Sequence, residues 1–255
     1  MTTLDPALIA LLQRAESLVM RLETLLPSPQ HAVAEPDWSA SIAFRYRRRG
    51  ASGVLQPVRQ VARIALDDGT RTALVSTYEG APFNSPNDLV MAADGTLFFT
   101  DPDYQRKAAP GGQPLTRVYR HRDGATTVVD DTLRNPNGIA LSPSGDTLYV
   151  AGGTADGDVL RAYAIKDGVP GRGRDLARIN GGDGLAIDCL GNVYVTEHGE
   201  RRVRVFSPAG DVLATIGVDA NITNAAFGGA DRRTLFLTGA ASLWSIELDV
   251  AGLPY

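Results

Sequence analysis

Four polar residues stand at matching places in this chain. They are Asn87 in PND, Asn137 in PNG, Asp183 in GDG and Asn224 in TNA, separated by 50, 46 and 41 residues. Their side chains offer amide and carboxylate oxygens. Such donors around one cavity suit a hard divalent cation, Ca²⁺ or Mg²⁺, with Mn²⁺ or Zn²⁺ also open. A lone Asn or Asp at the head of a strand is ordinarily a turn residue. Four at one place in a repeat point further, because turn chemistry alone would also accept Ser, Gly or Thr.

The segments that carry them align. They read SPNDLVMAADGTLFFTD from 85, NPNGIALSPSGDTLYVA from 135, GGDGLAIDCLGNVYVTE from 181 and ITNAAFGGADRRTLFLT from 222. Each is an apolar strand, a Gly-containing turn and a second strand ending in Thr or Ala. Further β pairs fall at 117–129, 159–169 and 202–218, with a strand at 242–250 and a hairpin at 61–77 around DDGT. Units of about four short strands at a period of about 40–50 residues are the mark of a β-propeller. The predicted fold is all-β, a six-bladed-type propeller incomplete at about four and a half blades, behind an N-terminal α-helix. Inner strands at 88–92, 138–142, 184–188 and 225–227 would bring the leading polar residues to one channel mouth.

The head of the chain is of another kind. Residues 5–26 predict a helix, with Asp5 as cap, Pro6 in its first turn, and a seam of Leu8, Ala15 and Leu22 with Leu11, Leu18 and Leu25. That stripe either docks on its own domain or pairs chains, so self-association through it stays open. Pro27, Pro29 and Pro36 mark a linker, and DWSASIAFRYRRRG (37–50) reads as a short strand running into a solvated basic cluster, Arg45 and Arg47 to Arg49. The domain division is thus 1–60 for the head and 61–255 for the propeller.

Bulk properties narrow the partners. The net charge of −4 leaves no basic excess for nucleic acid. One cysteine, Cys189, rules out an internal disulfide framework and fits a reducing compartment. The first residues lack a basic leader, and Gln13, Arg14, Glu16, Arg21 and Glu23 interrupt their apolar run, so neither a secretory signal nor a membrane span is expected. A cytoplasmic protein with no membrane partner is the expectation. The chain has no phosphate-binding Gly-x4-Gly-Lys loop, against a nucleotide hydrolase.

Taken together, the repeats at 61–255 resemble the SMP-30/gluconolactonase family. The resemblance implies a six-bladed propeller with a divalent cation in its channel, Ca²⁺ first, and hydrolysis of small sugar lactones or related esters. By position, Asn137 and Asp183 match metal ligands, and Asp183 also matches the general base. Asn87 matches a position touching the substrate or the water on the cation, and Asn224 a polar position near the same mouth. Asp101 and Tyr104 in TDPDY match the pocket edge on the substrate side, although Asp101 would equally form a turn. Glu197 and His198 in TEHGERR lie at a strand end, to line the pocket or serve a turn.

The chain also departs from that pattern. The Glu-Gly-Pro motif whose Glu completes the family's cation site has no counterpart: EGAPF (79–83) belongs to the segment before Asn87, and EPDW (35–38) lacks the context. Ser85 stands where some members carry Arg. Residues before a join near 64–70 weakly resemble the N-terminal region of an uncharacterised family of P-loop ATPases, which implies a fused foreign segment. The ring is then completed by 37–60, left open, or completed by a second chain. Three functions compete: a lactonase weakened by the missing Glu, a non-catalytic propeller module, and an inactive truncated fusion.

Overall fold

The computed structural model describes residues 38–43, 59–65, 70–104, 111–239 and 242–253. They form two compact units, one within 32–179 and the other holding 180–255. The described residues are all-β and every strand pairs antiparallel. No described helix is long and apolar enough to cross a membrane. The predicted helix at 5–26, the prolines after it and the basic cluster at 45–49 lie outside the described residues.

In the first unit, β1 (Trp38–Ala43), β2 (Gln60–Ala65) and β3 (Arg71–Val75) form a three-stranded sheet in that order. The hairpin read at 61–77 is β2–β3, and the strand read in DWSASIAF is β1, which pairs with β2 from Trp38 opposite Ala65 to Ala43 opposite Gln60. A small hairpin follows, β4 (Thr77–Tyr78) and β5 (Ala81–Pro82). Its turn places Glu79 and Gly80 at φ 50° and 79°. Positive φ at both central residues is what a two-residue hairpin of the right twist requires. Glu79 of EGAPF is therefore a turn residue.

Four propeller-type blades come next along the chain. Strands β6 (Leu89–Met91), β7 (Leu97–Asp101), β8 (Arg117–Arg122) and β9 (Ala125–Asp130) form one meander. Strands β10 (Ile139–Leu141), β11 (Thr147–Thr154) and β12 (Gly157–Lys166) form another, with β13 (Val169–Pro170) and β14 (Arg174–Arg178) both pairing on β12. The second unit holds β15 (Gly182–Ile187), β16 (Val193–Glu197), β17 (Arg202–Phe206) and β18 (Val212–Gly217), then β19 (Asn224–Gly228), β20 (Thr234–Gly239) and β21 (Ser242–Glu247). The last blade has three described strands.

One turn recurs between the first two strands of a blade. Gly95 N–H donates to Ala92 O, Gly145 to Ser142 and Gly191 to Asp188, each at 2.9 Å, with φ of 81°, 71° and 84°. Glycine is needed because that left-handed conformation strains a side chain. In the last blade Arg232 takes the same role at φ 59°.

Sheet alternation then builds the cores. In the first unit Phe98, Val118, Ile139, Leu148, Val159 and Tyr163 pack as one cluster between the β6–β9 and β10–β14 sheets. In the second, Tyr194, Val203, Ile222, Phe227, Leu235 and Leu237 do the same for β15–β18 and β19–β21. Phe83, Phe99 and Tyr119 add an aromatic trio with ring centroids 5.1–5.2 Å apart. These faces bury the strands and leave the strand ends to carry polar chemistry.

Candidate active site

The backbone fixes which residues share a level at the head of each inner strand. Asn87 N–H donates to Thr100 O, Asn137 to Ala151 O and Thr223 to Thr238 O, at 2.9, 2.8 and 2.6 Å. One residue on, Asp88 N–H and Gly184 N–H both donate to a Thr hydroxyl, Thr100 at 3.1 Å and Thr196 at 2.7 Å. The leading level is therefore Asn87, Asn137, Asp183 and Thr223. Asn224 lies one position further, level with Asp88. Both turn their side-chain oxygen onto the next backbone N–H, Asp88 onto Leu89 at 2.9 Å and Asn224 onto Ala225 at 2.8 Å. Successive strand side chains point to opposite faces, so Asn224 does not share the direction of the leading residues. The sequence held the signal. Counting two back from the first residues of the apolar runs, Leu89, Ile139, Leu185 and Ala225, yields Thr223.

In the first unit the structure joins Asn137 to Tyr104. Asn137 is buried, and its Nδ2 donates to the Tyr104 hydroxyl at 3.3 Å, which turns Oδ1 away as an acceptor. Tyr104 is 51% exposed and donates in turn to Asn135 O at 3.4 Å. Thr100 Oγ1 donates to Asn137 O at 2.8 Å, and Asp88 Oδ2 accepts from Ile139 N–H at 3.2 Å. These bonds stitch β6, β7 and β10 together just behind the leading residues. Asn87 stands exposed at the end of that seam.

Asp101 has a different place from the pocket edge expected of it. It is fully buried, and its two oxygens accept from Asn84 N–H at 2.9 Å and Ser85 N–H at 2.7 Å. Burial pushes its carboxyl up to about 7, against the two backbone hydrogen bonds and the nearby Arg59 and Arg117. It holds the stretch just before Asn87 and does not face solvent. Glu197 repeats this arrangement in the second unit. It too is fully buried; Oε1 accepts from Asn180 N–H at 2.8 Å and Arg204 Nε at 2.9 Å, and Oε2 from Arg202 Nε at 2.5 Å. Sequence reading put Glu197 at a strand end, where β16 does end, but an end residue and an exposed residue are not the same.

Asp183 is the one carboxylate at the leading level. Its side chain is 26% exposed, and the β15–β16 register shifts between Gly182 and Leu185, the irregularity that aims it. Gly184 is required beside it: a Cβ there would lie 2.0 Å from Asn224 Oδ1 and 2.8 Å from Asn224 Cα. The Gly184 N–H reaches Thr223 O at 2.9 Å as well as Thr196 Oγ1, locking the strand below Asp183. His198 Nδ1 sits 3.8 Å from Asp183 Oδ2 and 2.8 Å from Ile222 O.

Among the described residues no three His, Cys, Asp or Glu side chains gather as a metal cluster. At the leading positions the first unit offers the amide oxygens of Asn87 and Asn137, and the second unit, taken by itself, the carboxylate of Asp183. Hard oxygens of this kind fit Ca²⁺ or Mg²⁺ better than the nitrogen- and sulfur-seeking Zn²⁺.

The model of the SMP-30/Gluconolactonase/LRE-like region matches residues 21–241, reaching back ahead of the boundary at 60 drawn from sequence. A gluconolactonase of Zymomonas mobilis is 28% identical over 201 residues, 71% of this chain and 55% of that protein. Lactonohydrolase oryL of Aspergillus oryzae is 28% identical over 275 residues, 92% of this chain and 63% of that one. The solved gluconolactonase of Xanthomonas campestris is 32% identical over 74% of this chain and 65% of its own, with a TM-score of 0.66. The chain thus spans 55% and 63% of the two curated relatives' lengths. The family model covers most of the chain, and on that match the chain belongs to the SMP-30/gluconolactonase/LRE-like family.

Proposed function

We propose that this chain hydrolyses sugar lactones, with Asp183 as general base. The observation that carries this is Asp183 itself, a partly exposed carboxylate set in a strand irregularity at the head of a blade. A water attacking the lactone carbonyl loses its proton to Asp183. The acyl–oxygen bond of the ring breaks, and the same proton returns to the leaving ring oxygen, so lactone and water become one hydroxy acid. The gluconolactonase and lactonohydrolase relatives support the substrate class.

In this reading Asp183 and Asn137 would hold a divalent cation, Ca²⁺ first, and Asn87 would touch the substrate or the water on it. When bound it polarises the carbonyl and lowers the pKa of water. Tyr104 and Asn87 orient the substrate hydroxyls. Asp101 supports the stretch before Asn87 from behind, and Asn224 supports Asp183 through Gly184. The test is hydrolysis of glucono-δ-lactone after chelation, with Ca²⁺, Mg²⁺ or Zn²⁺ restored, beside Asp183→Asn. General-base loss is expected to cost about 10²–10⁴-fold. Equal rates in the two proteins would overturn the assignment.

The placing of Glu79 of EGAPF in a hairpin turn supports a second reading, a non-catalytic binding module. Saturable binding of gluconate without turnover in any cation would select it.

A further inference from the structure

We propose that His198 is a specificity residue that reads a substrate hydroxyl through Nε2. The proposal rests on the lactonase reading for its substrate class. Its geometry is independent of that reading. His198 Nδ1 lies 2.8 Å from Ile222 O, and a carbonyl oxygen only accepts, so Nδ1 carries the proton. In the neutral ring Nε2 is then an acceptor. The structure agrees, because the Asn221 Nδ2 amide faces Nε2 at 3.4 Å.

That contact is long for a hydrogen bond, beyond the usual range of about 2.7–3.2 Å. A polyol hydroxyl brought to Nε2 therefore forms a better bond than the one it displaces. The ring is also placed to do this. Its backbone N–H is tied to Gly181 O at 3.0 Å, its Nδ1 points at Ile222 and Asp183, and its side chain is 45% exposed. The ring is thus fixed on one edge and open on the other, beside the carboxylate assigned to the chemistry. Asn221 adds an amide next to Nε2, so a hydroxyl there can donate to His198 and accept from Asn221. Such paired donor–acceptor recognition separates a hydroxylated lactone from a bare one.

The test uses two variants of the full chain. His198→Asn keeps a donor near Ile222 O but, being shorter, places no acceptor at the Nε2 position. His198→Gln extends an acceptor toward the Nε2 position. Both are compared with wild type on glucono-δ-lactone, on δ-valerolactone, which lacks ring hydroxyls, and in calorimetric titration with the non-hydrolysable polyol D-glucitol. Loss of one such bond raises KM for gluconolactone about tenfold in His198→Asn and weakens glucitol binding by a similar factor. Any change on δ-valerolactone is smaller, so the ratio of kcat/KM for gluconolactone to that for δ-valerolactone falls about tenfold in His198→Asn, and His198→Gln keeps that ratio within about threefold of wild type. An equal change on both lactones, no change on either, or His198→Gln behaving as His198→Asn overturns the proposal. Turnover of neither lactone by wild type removes the lactonase reading alone; glucitol titration then decides His198, and equal or absent binding in wild type and His198→Asn overturns it.

Discussion

Replacing Gly184 by Ala tests the seat of Asp183 directly. Gly184 is not among the glycines with positive φ, so its backbone accepts an L residue. The obstacle is space. The new methyl would lie 2.0 Å from Asn224 Oδ1, 2.4 Å from its Cγ and 2.8 Å from its Cα. Rotating the Asn224 side chain clears the first two clashes and gives up its 2.8 Å bond to Ala225 N–H, at about 1 kcal/mol. The clash with the Asn224 backbone remains and forces β15 and β19 apart, an overpacking cost of about 1–3 kcal/mol. Alanine recovers about 0.4–1 kcal/mol by restricting the unfolded chain. The net expectation is a loss of about 1–3.6 kcal/mol. Urea unfolding in a Trp38→Phe background, where Trp244 in the same unit is the fluorophore, measures it. Asn224→Ala should relieve part of the strain, so the double variant is expected to lose at least about 1 kcal/mol less than the sum of the singles. A Gly184→Ala protein within about 0.5 kcal/mol of wild type, or costs that add within that margin, would refute the reasoning.

Two further outcomes follow from the buried acids. The Asp101 carboxyl, raised from 3.8 to about 7 in the folded chain, keeps a proton that the unfolded chain loses. Its contribution to stability is therefore full below about pH 4 and declines as pH rises toward 7, by at most about 1.4 kcal/mol per pH unit. Asp101→Asn should flatten the wild-type slope of urea stability between those limits; an unchanged slope would contradict the assignment. Glu197→Gln leaves Arg202 and Arg204 without their shared buried anion, and breaking such a pair costs about 3–5 kcal/mol. Thermal unfolding and kcat/KM should both fall, since Glu197 also holds Asn180 ahead of Asp183; an unchanged melting point would show that the two arginines find water instead.

Particular residues show where sequence reading reached and where it stopped. The hairpin turns were visible because a left-handed position asks for Gly, and Gly95, Gly145 and Gly191 occupy it. The strand pairs at 117–129 and 202–218 were visible because apolar alternation is local. Asn224 was placed one residue out, because an Asn in a repeat outweighed the count back from the apolar run. Asp101 was read from the family resemblance as a pocket edge, or equally as a turn residue. Its burial depends on Asn84 and Ser85 crossing over it, residues more than a dozen positions away. The partnership of His198 with Asp183 was hidden for the same reason.

By itself the sequence determined a four-fold strand repeat, its Gly turns and the polar residues at the heads of its inner strands. Period-two alternation and turn conformation are written over a few consecutive residues. Only the tertiary structure decided which acids are walled in and which stands open, since burial is set by the neighbouring strand. It also decided that Asn224 fills the space of a missing Gly184 side chain and that an imidazole rests beside Asp183. Those pairings join residues 15–40 positions apart, where no local pattern can reach.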